Sequence, residues 1–302
     1  DRESPFLLVA GFENPHNICE WIDGKPPAWG SVPEAPTEEC PTLPANFHPP
    51  PGEPDALRPA AADSPVDFQL AGRPDDVWRH YRHVYYRLVE RVDREVGRVL
   101  DALDSAGVAD ETVVVFTSDH GDSHGAHGLG HKMFLYEESA RVPFVVRDPA
   151  GGGGRVDDSL VSNGYDLLPT LCDYAGIDPP ADLPGRSVRP LVRGGAPDWR
   201  EYLVARAEVP LEGRMVRTDR YKYVVYEGGR DREQLFDLRS DRGEMVDLSA
   251  DADHAGTLDA HRAHLLEWCR RTDDTFAELS SRPGLPSVPG YEYDEIAAYM
   301  AE

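Results

Sequence analysis

Apolar positions fall in two rhythms along the 302-residue chain. Trp78, Tyr81, Tyr85, Leu88, Val92, Val96, Val99 and Leu103 recur three and four apart, which predicts a long helix with one apolar stripe. Asp75 and Asp76 stand where a helix start favours acids, and Gly107 marks the stop. Residues 165–175 predict a shorter helix with Pro169 in its first turns and Gly176 at its end. Leu258, His261, Leu265 and Trp268 predict another. The other rhythm is short and unbroken. Residues 6–10 (FLLVA), 113–116 (VVVF) and 142–146 (VPFVV) read as buried strands, and Pro143 puts the last near its own start or at an edge. Beyond residue 196 four short runs separated by turns, at 202–206, 214–217, 221–226 and 234–238, predict a small antiparallel sheet.

A helix that hands the chain to a buried strand is an α/β arrangement. The expected organisation is therefore an α/β portion over residues 1–195 and a small α+β portion over 196–302. The second portion holds the antiparallel sheet, a covering helix and an extended tail over the last twenty residues. Residues 26–65 contain twelve prolines. That stretch is expected to be an ordered loop packed near the site, because strong patterns flank it. A chain that opens almost directly on a core strand also looks cut at its start.

Composition narrows the partners. The formal charge is −24, and Lys25, Lys132 and Lys222 are the only lysines among 31 basic residues. So acidic a surface repels nucleic acid and anionic membranes. It fits a high-salt cytoplasm, while a GC-rich genome also favours arginine over lysine, and a secreted or periplasmic location stays open. No run of eighteen apolar residues exists to span a bilayer. Cys19, Cys40, Cys172 and Cys269 form no C-x-x-C pair and read as ordinary thiols.

The chemistry concentrates at 113–132, where a strand-like run meets Asp119-His120, a glycine-rich loop with three more histidines, and Lys132. Ligands in open α/β sheets bind beyond the carboxyl ends of strands. Asp119 and His120 are candidate metal ligands, or else a capping carboxylate and a hydrogen-bonded imidazole. A hard divalent cation takes about six to eight ligands, so others must come from elsewhere. Lys132 is a candidate grip on a sulfate or phosphate oxygen. His124, His127 and His131 are ligands, acid–base groups or loop supports. His16, in a Pro-His loop, is a candidate proton donor.

Ser118-Asp119-His120-Gly121, Gly125-x-His127, Lys132 and Tyr136-Glu137-Glu138-Ser139-x-Arg141-Val142-Pro143 together resemble the second signature of type I sulfatases, within the alkaline-phosphatase-like superfamily. Asn14-Pro15-His16, Val92 to Gly97, Tyr165 to Gly176, Gly185-Arg186-Ser187, Tyr221-Lys222-Tyr223 and Leu235 to Glu244 resemble further family segments in the same order. The resemblance implies a sheet flanked by helices, incomplete at its N-terminal side, with the small C-terminal α+β subdomain. It also implies hydrolysis of a small-molecule or carbohydrate sulfate ester at a calcium and formylglycine site. Asp119 and His120 would be metal ligands. Lys132 would hold the sulfate and stabilise the leaving oxygen, His16 would contact sulfate or protonate the departing alcohol, and His127 would shape the substrate side. The family's C/S-x-P-x-R nucleophile motif has no match here: Cys40-Pro41-Thr42-Leu43-Pro44 lacks both the spacing and the arginine. The chain thus resembles the C-terminal portion of a sulfatase, expected to be inactive alone and to need the missing N-terminal portion. A phosphodiesterase or phosphonate monoester hydrolase of the same superfamily, and a non-catalytic anion-binding relative, are the alternative expectations.

Overall fold

The computed structural model describes residues 4–25, 30–63, 70, 72–151, 153–229 and 231–276. In chain order its helices are α1 (Ile18–Ile22), α2 (Leu57–Asp63), α3 (Asp75–Ser105), α4 (Glu137–Ala140), α5 (Asn163–Ala175), α6 (Arg189–Val192) and α7 (Ala255–Thr272). The strands are β1 (Val114–Thr117), β2 (Phe144–Arg147), β3 (Leu203–Ala207), β4 (Gly213–Arg217), β5 (Tyr221–Tyr226) and β6 (Glu233–Asp237). Two compact units result, Asp1–Leu43 with Gly72–Ala109, and Pro44–Ala71 with Asp110–Glu302. The expected tail lies outside the described residues.

The first unit is built on α3. Its N-terminal half buries Trp78, Tyr81, Val84 and Leu88, with Ile18 buried nearby. The Trp21 and Trp78 rings lie 6.3 and 5.9 Å from that of Tyr81. The proline-rich chain from Gly30 to Pro41 is tied to this helix by its carbonyls, because a chain so rich in proline has few N–H groups with which to pair them. Arg79 donates to the Cys40 carbonyl at 2.7 Å, and His80 to that of Ala35 at 3.1 Å. Arg91 donates to Gly30 and Ser31 at 3.0 and 2.7 Å. This part of the expected loop is therefore ordered. The strand expected at 6–10 is absent: no strand is assigned there, and Leu7 and Val9 are 73% and 81% exposed. A strand exists only through hydrogen bonds to a neighbour, and the described part of this unit contains no strand to pair with.

In the second unit β1 and β2 pair antiparallel, with Val114 opposite Arg147 and Thr117 opposite Phe144. The expected burial of β1 on both faces does not occur. Phe116 is 42% exposed and Val145 57%. With only one partner strand among the described residues, the pair has open edges and an uncovered face. The four strands predicted near the C-terminus form the antiparallel meander β3-β4-β5-β6. Side chains alternate across it. Val204, Val216, Tyr223, Val225 and Leu235 meet Leu258, Leu265 and Cys269 of α7, the predicted covering helix. Met215, Val224, Tyr226 and Phe236 face the other way, against Leu129, Phe134, Leu135 and Tyr136. Burial on both faces explains the nearly unbroken apolar run in β5.

Helix α5 begins two residues earlier than predicted. Ser162 caps it, its hydroxyl accepting from the Tyr165 N–H at 3.3 Å. Gly176 ends it in the left-handed conformation at φ 70°. Its start is clamped by the fully buried Asp166, which accepts from the Ser162 and Arg186 N–H groups at 2.8 and 2.9 Å. Arg200 completes the clamp with two bonds of 2.5 Å to the same carboxylate.

Candidate active site

Strand β1 ends at Thr117, and the next residues turn out of the sheet. Asp119 Oδ1 accepts from the His120 N–H at 2.9 Å and from the Ser118 hydroxyl at 3.2 Å. His120 Nδ1 lies 2.8 Å from the Gly121 carbonyl. A carbonyl only accepts, so Nδ1 carries a proton and Nε2 is left to face Asp119 or a cation. That Nε2 stands 3.2 Å from Asp119 Oδ2. At that separation the two atoms can share a proton or a cation. Burial pushes the Asp119 carboxyl up, but the His120 N–H, the imidazole and the Ser118 hydroxyl outweigh it and hold it below its usual value. The pair thus presents one oxygen and one nitrogen together, and the Asp119 side chain is 82% exposed. Its donor set fits two positions of a divalent ion's coordination shell.

The loop that follows is held in an unusual shape. His124, His127 and His131 have φ of 53°, 56° and 65°, values that cost a non-glycine residue about 1 kcal/mol or more each. Short backbone bonds secure it: Ser123 N–H to the His131 carbonyl at 2.6 Å, and His127 N–H to the Asn46 carbonyl at 2.6 Å. Arg58 donates to the His127 carbonyl at 2.7 Å. Gly121 meets the far end of the loop, its N–H donating to the Ser139 carbonyl at 2.8 Å. A Cβ there would stand 1.9 Å from the Glu138 carbonyl oxygen, so only glycine allows this approach.

Of the residues picked from the sequence, Asp119 and His120 meet directly. Lys132 is half-buried on the same loop. His127 is fully buried, stacked on Tyr136 at 3.7 Å between ring centres. Burial and the nearby Lys222 and Arg58 charges bring its pKa down to about 3, so it is neutral. It anchors the loop from beneath. His16, after the Asn14–Pro15 bond, is exposed and belongs to the first compact unit.

A buried polar cluster in the second unit escaped the sequence reading. Lys222 Nζ lies 2.8 Å from Glu244 Oε1 and 3.3 Å from Glu137 Oε1, and Glu244 Oε2 accepts from the Glu137 N–H at 2.6 Å. Asn46 donates to Glu138 Oε1 at 2.9 Å. His127, Glu138 and Glu244 bring ligand atoms within 4.8 Å of one another, a group that can hold a metal ion. The Lys222 ammonium already supplies positive charge there, which makes the exposed Asp119–His120 pair the freer place for a divalent ion. One signal was available: Lys222 is a lysine in an otherwise apolar strand pattern. Asn163 was also missed. It donates to the Ser118 and Asp119 carbonyls at 2.6 and 3.1 Å, yet in the sequence it reads as an ordinary polar residue at a helix start.

The described residues thus combine a strand-end carboxylate–imidazole pair, a lysine-bearing loop and a C-terminal antiparallel sheet, and the comparisons with known proteins give this arrangement its class. The family model "Sulfatase" matches residues 1–177, and "N-sulphoglucosamine sulphohydrolase, C-terminal" matches 125–270. A Delta 4,5-hexuronate-2-O-sulfatase of Bacteroides thetaiotaomicron is 33% identical over 97% of this chain and 65% of its own length. A solved 2-O GAG sulfatase superposes with a TM-score of 0.80 at 32% identity, over 94% of this chain and 65% of the other. A phosphonate monoester hydrolase from Silicibacter pomeroyi gives 0.69 at 26% identity, over 82% and 54%. The chain belongs to the sulfatase family. It spans about 65% of the length of these two sulfatases.

Proposed function

We propose that the protein carrying this chain hydrolyses a carbohydrate sulfate ester, and that residues 1–302 supply part of its site. The observation that carries this is the Asp119–His120 pair, with a carboxylate oxygen and an imidazole nitrogen 3.2 Å apart on an exposed strand end. In this reading Asp119 and His120 are two ligands of a calcium ion, which when bound polarises the sulfate. Lys132 holds sulfate oxygens and stabilises charge on the leaving oxygen. His16 contacts the sulfate or protonates the departing alcohol. His127 acts on the substrate side through the loop it anchors. The formylglycine nucleophile comes from sequence beyond 1–302. Residues 1–195 carry the chemistry, and 196–302 form the supporting subdomain. The hexuronate-2-O-sulfatase relative supports a sulfated uronate as substrate class.

The test is turnover by the full-length gene product on a 2-O-sulfated unsaturated uronate and on a phosphonate monoester, with and without calcium. The expected outcome is calcium-dependent release of sulfate, with kcat lowered at least about 100-fold by Lys132→Ala, as for loss of a single charge-stabilising donor. Isolated 1–302 should give no turnover. Faster cleavage of the phosphonate ester would favour the phosphonate hydrolase reading, which the Silicibacter pomeroyi likeness supports more weakly.

A further inference from the structure

Metal ligands on an exposed turn need something rigid behind them, because a pair that wanders by an ångström loses most of its advantage. Asp119 and His120 get little from the sheet, since β1 ends two residues earlier. Their backbone is instead gripped from α5. Asn163 Nδ2 donates to the Ser118 carbonyl at 2.6 Å and to the Asp119 carbonyl at 3.1 Å. The amide's orientation is fixed by its other end, where Oδ1 accepts from the Gly164 N–H at 2.8 Å. Both amide hydrogens are thereby directed at the two peptide units that flank the Asp119 Cα. The helix start that carries Asn163 is itself immobilised through Ser162 by the buried Asp166–Arg200 pair.

We infer that Asn163 is a positioning residue for the metal pair, setting the Asp119–His120 geometry by pinning the carbonyls of Ser118 and Asp119. This rests on the metal-ligand reading of Asp119 and His120. Asn163 touches neither ligand atom. It acts on the backbone from which Asp119 projects, and through the adjoining peptide on His120, whose ring is fixed in turn by the Gly121 carbonyl. Supporting groups of this kind typically change metal affinity 10–100-fold when removed.

The experiment is calcium titration by calorimetry on the full-length gene product, alongside its thermal unfolding without calcium. Asn163→Ala should weaken calcium binding at least about tenfold. Ser162→Ala removes the cap of the same helix end, so it should lower the unfolding temperature while leaving calcium affinity within about twofold. That contrast separates positioning from general support of the helix. If Asn163→Ala binds calcium like the wild type, or if both variants lose affinity equally, the inference fails. If the wild type itself binds no calcium, the metal-ligand reading falls, and this inference with it.

Discussion

Glu244 and His127 sit in one buried cluster, and burial acts on them in opposite directions. Burial raises the Glu244 carboxyl to about 7 against the downward pull of Lys222, because a buried charge is costly even when paired. The same burial, with Lys222 and Arg58, lowers His127 to about 3. The signs follow by linkage. Glu244 binds its proton more tightly folded than unfolded, so its contribution is full below its ordinary value of 4.5 and is lost as pH rises to about 7. His127 binds its proton less tightly folded, so its contribution is full above 6.5 and is lost as pH falls toward 3. The two offset each other between about 4.5 and 6.5, where titration of either alone would tilt the stability curve. Glu244→Gln should therefore remove the loss on the alkaline side, and the wild-type-minus-variant stability should fall by roughly 3 kcal/mol between pH 4.5 and 7. Urea unfolding at stepped pH measures this, and a flat difference would contradict it. Lys222→Met should destabilise at neutral pH by about 3–5 kcal/mol, since it takes from the buried Glu244 its cation at 2.8 Å. Beyond the lone Lys222 in an apolar strand pattern, this was not legible in the sequence. A lysine and a glutamate 22 residues apart give no sign of meeting unless the strand partners are known.

At the scale of elements, the helices and the C-terminal strands were legible and the burial of the central strands was not. The 3.6-residue stripe located α3, and short runs separated by turns located β3 to β6 within two residues at each end, because each of these elements buries a face within its own unit. The runs at 6–10 and 113–116 looked like strands buried on both faces. Apolar sequence alone does not say which neighbours are present, and here Leu7, Val9, Phe116 and Val145 face outward. The site loop was partly legible. Asp119, His120 and Lys132 stood out by type and spacing, whereas the meeting of Gly121 with α4 depends on a contact across 17 residues. Gly121→Ala tests that contact. Its new Cβ would stand 1.9 Å from the Glu138 carbonyl oxygen, which is backbone and cannot rotate away. Overpacking of this kind costs about 1–3 kcal/mol, and the Gly121–Ser139 hydrogen bond would be lost as well. The expected result is a drop in the urea midpoint with an unchanged m-value; a variant as stable as the wild type would show that the loop gives way freely.

At the scale of the whole molecule the governing quantity is charge. Fifty-five acidic residues face 31 lysines and arginines, a surplus of 24 negative charges. Two effects of salt then compete. Screening weakens exposed ion pairs such as Arg98–Glu95 and Arg239–Asp219, each worth at most about 1 kcal/mol. Screening also relieves the repulsion of the surplus negative charge, and that sum grows with every pair of like charges within a Debye length. Raising potassium chloride from 0.1 to 1 M shortens that length from about 10 to about 3 Å, which suppresses both terms. The strongest ion pairs are largely exempt. Lys222–Glu244 and Arg200–Asp166 are buried and feel the salt little. Repulsion among two dozen surplus carboxylates therefore outweighs the few exposed pairs, and the unfolding temperature should rise with potassium chloride. Thermal unfolding at pH 7.5 in 0.1, 0.5 and 1 M salt measures it. Chloride is preferred to sulfate because sulfate strengthens apolar burial independently of charge and would mask the effect. A rise that saturates near 1 M is the expected signature of screening. A falling unfolding temperature would mean that the exposed ion pairs outweigh the surplus charge, and would remove the physical basis for reading the acidic surface as an adaptation to high salt.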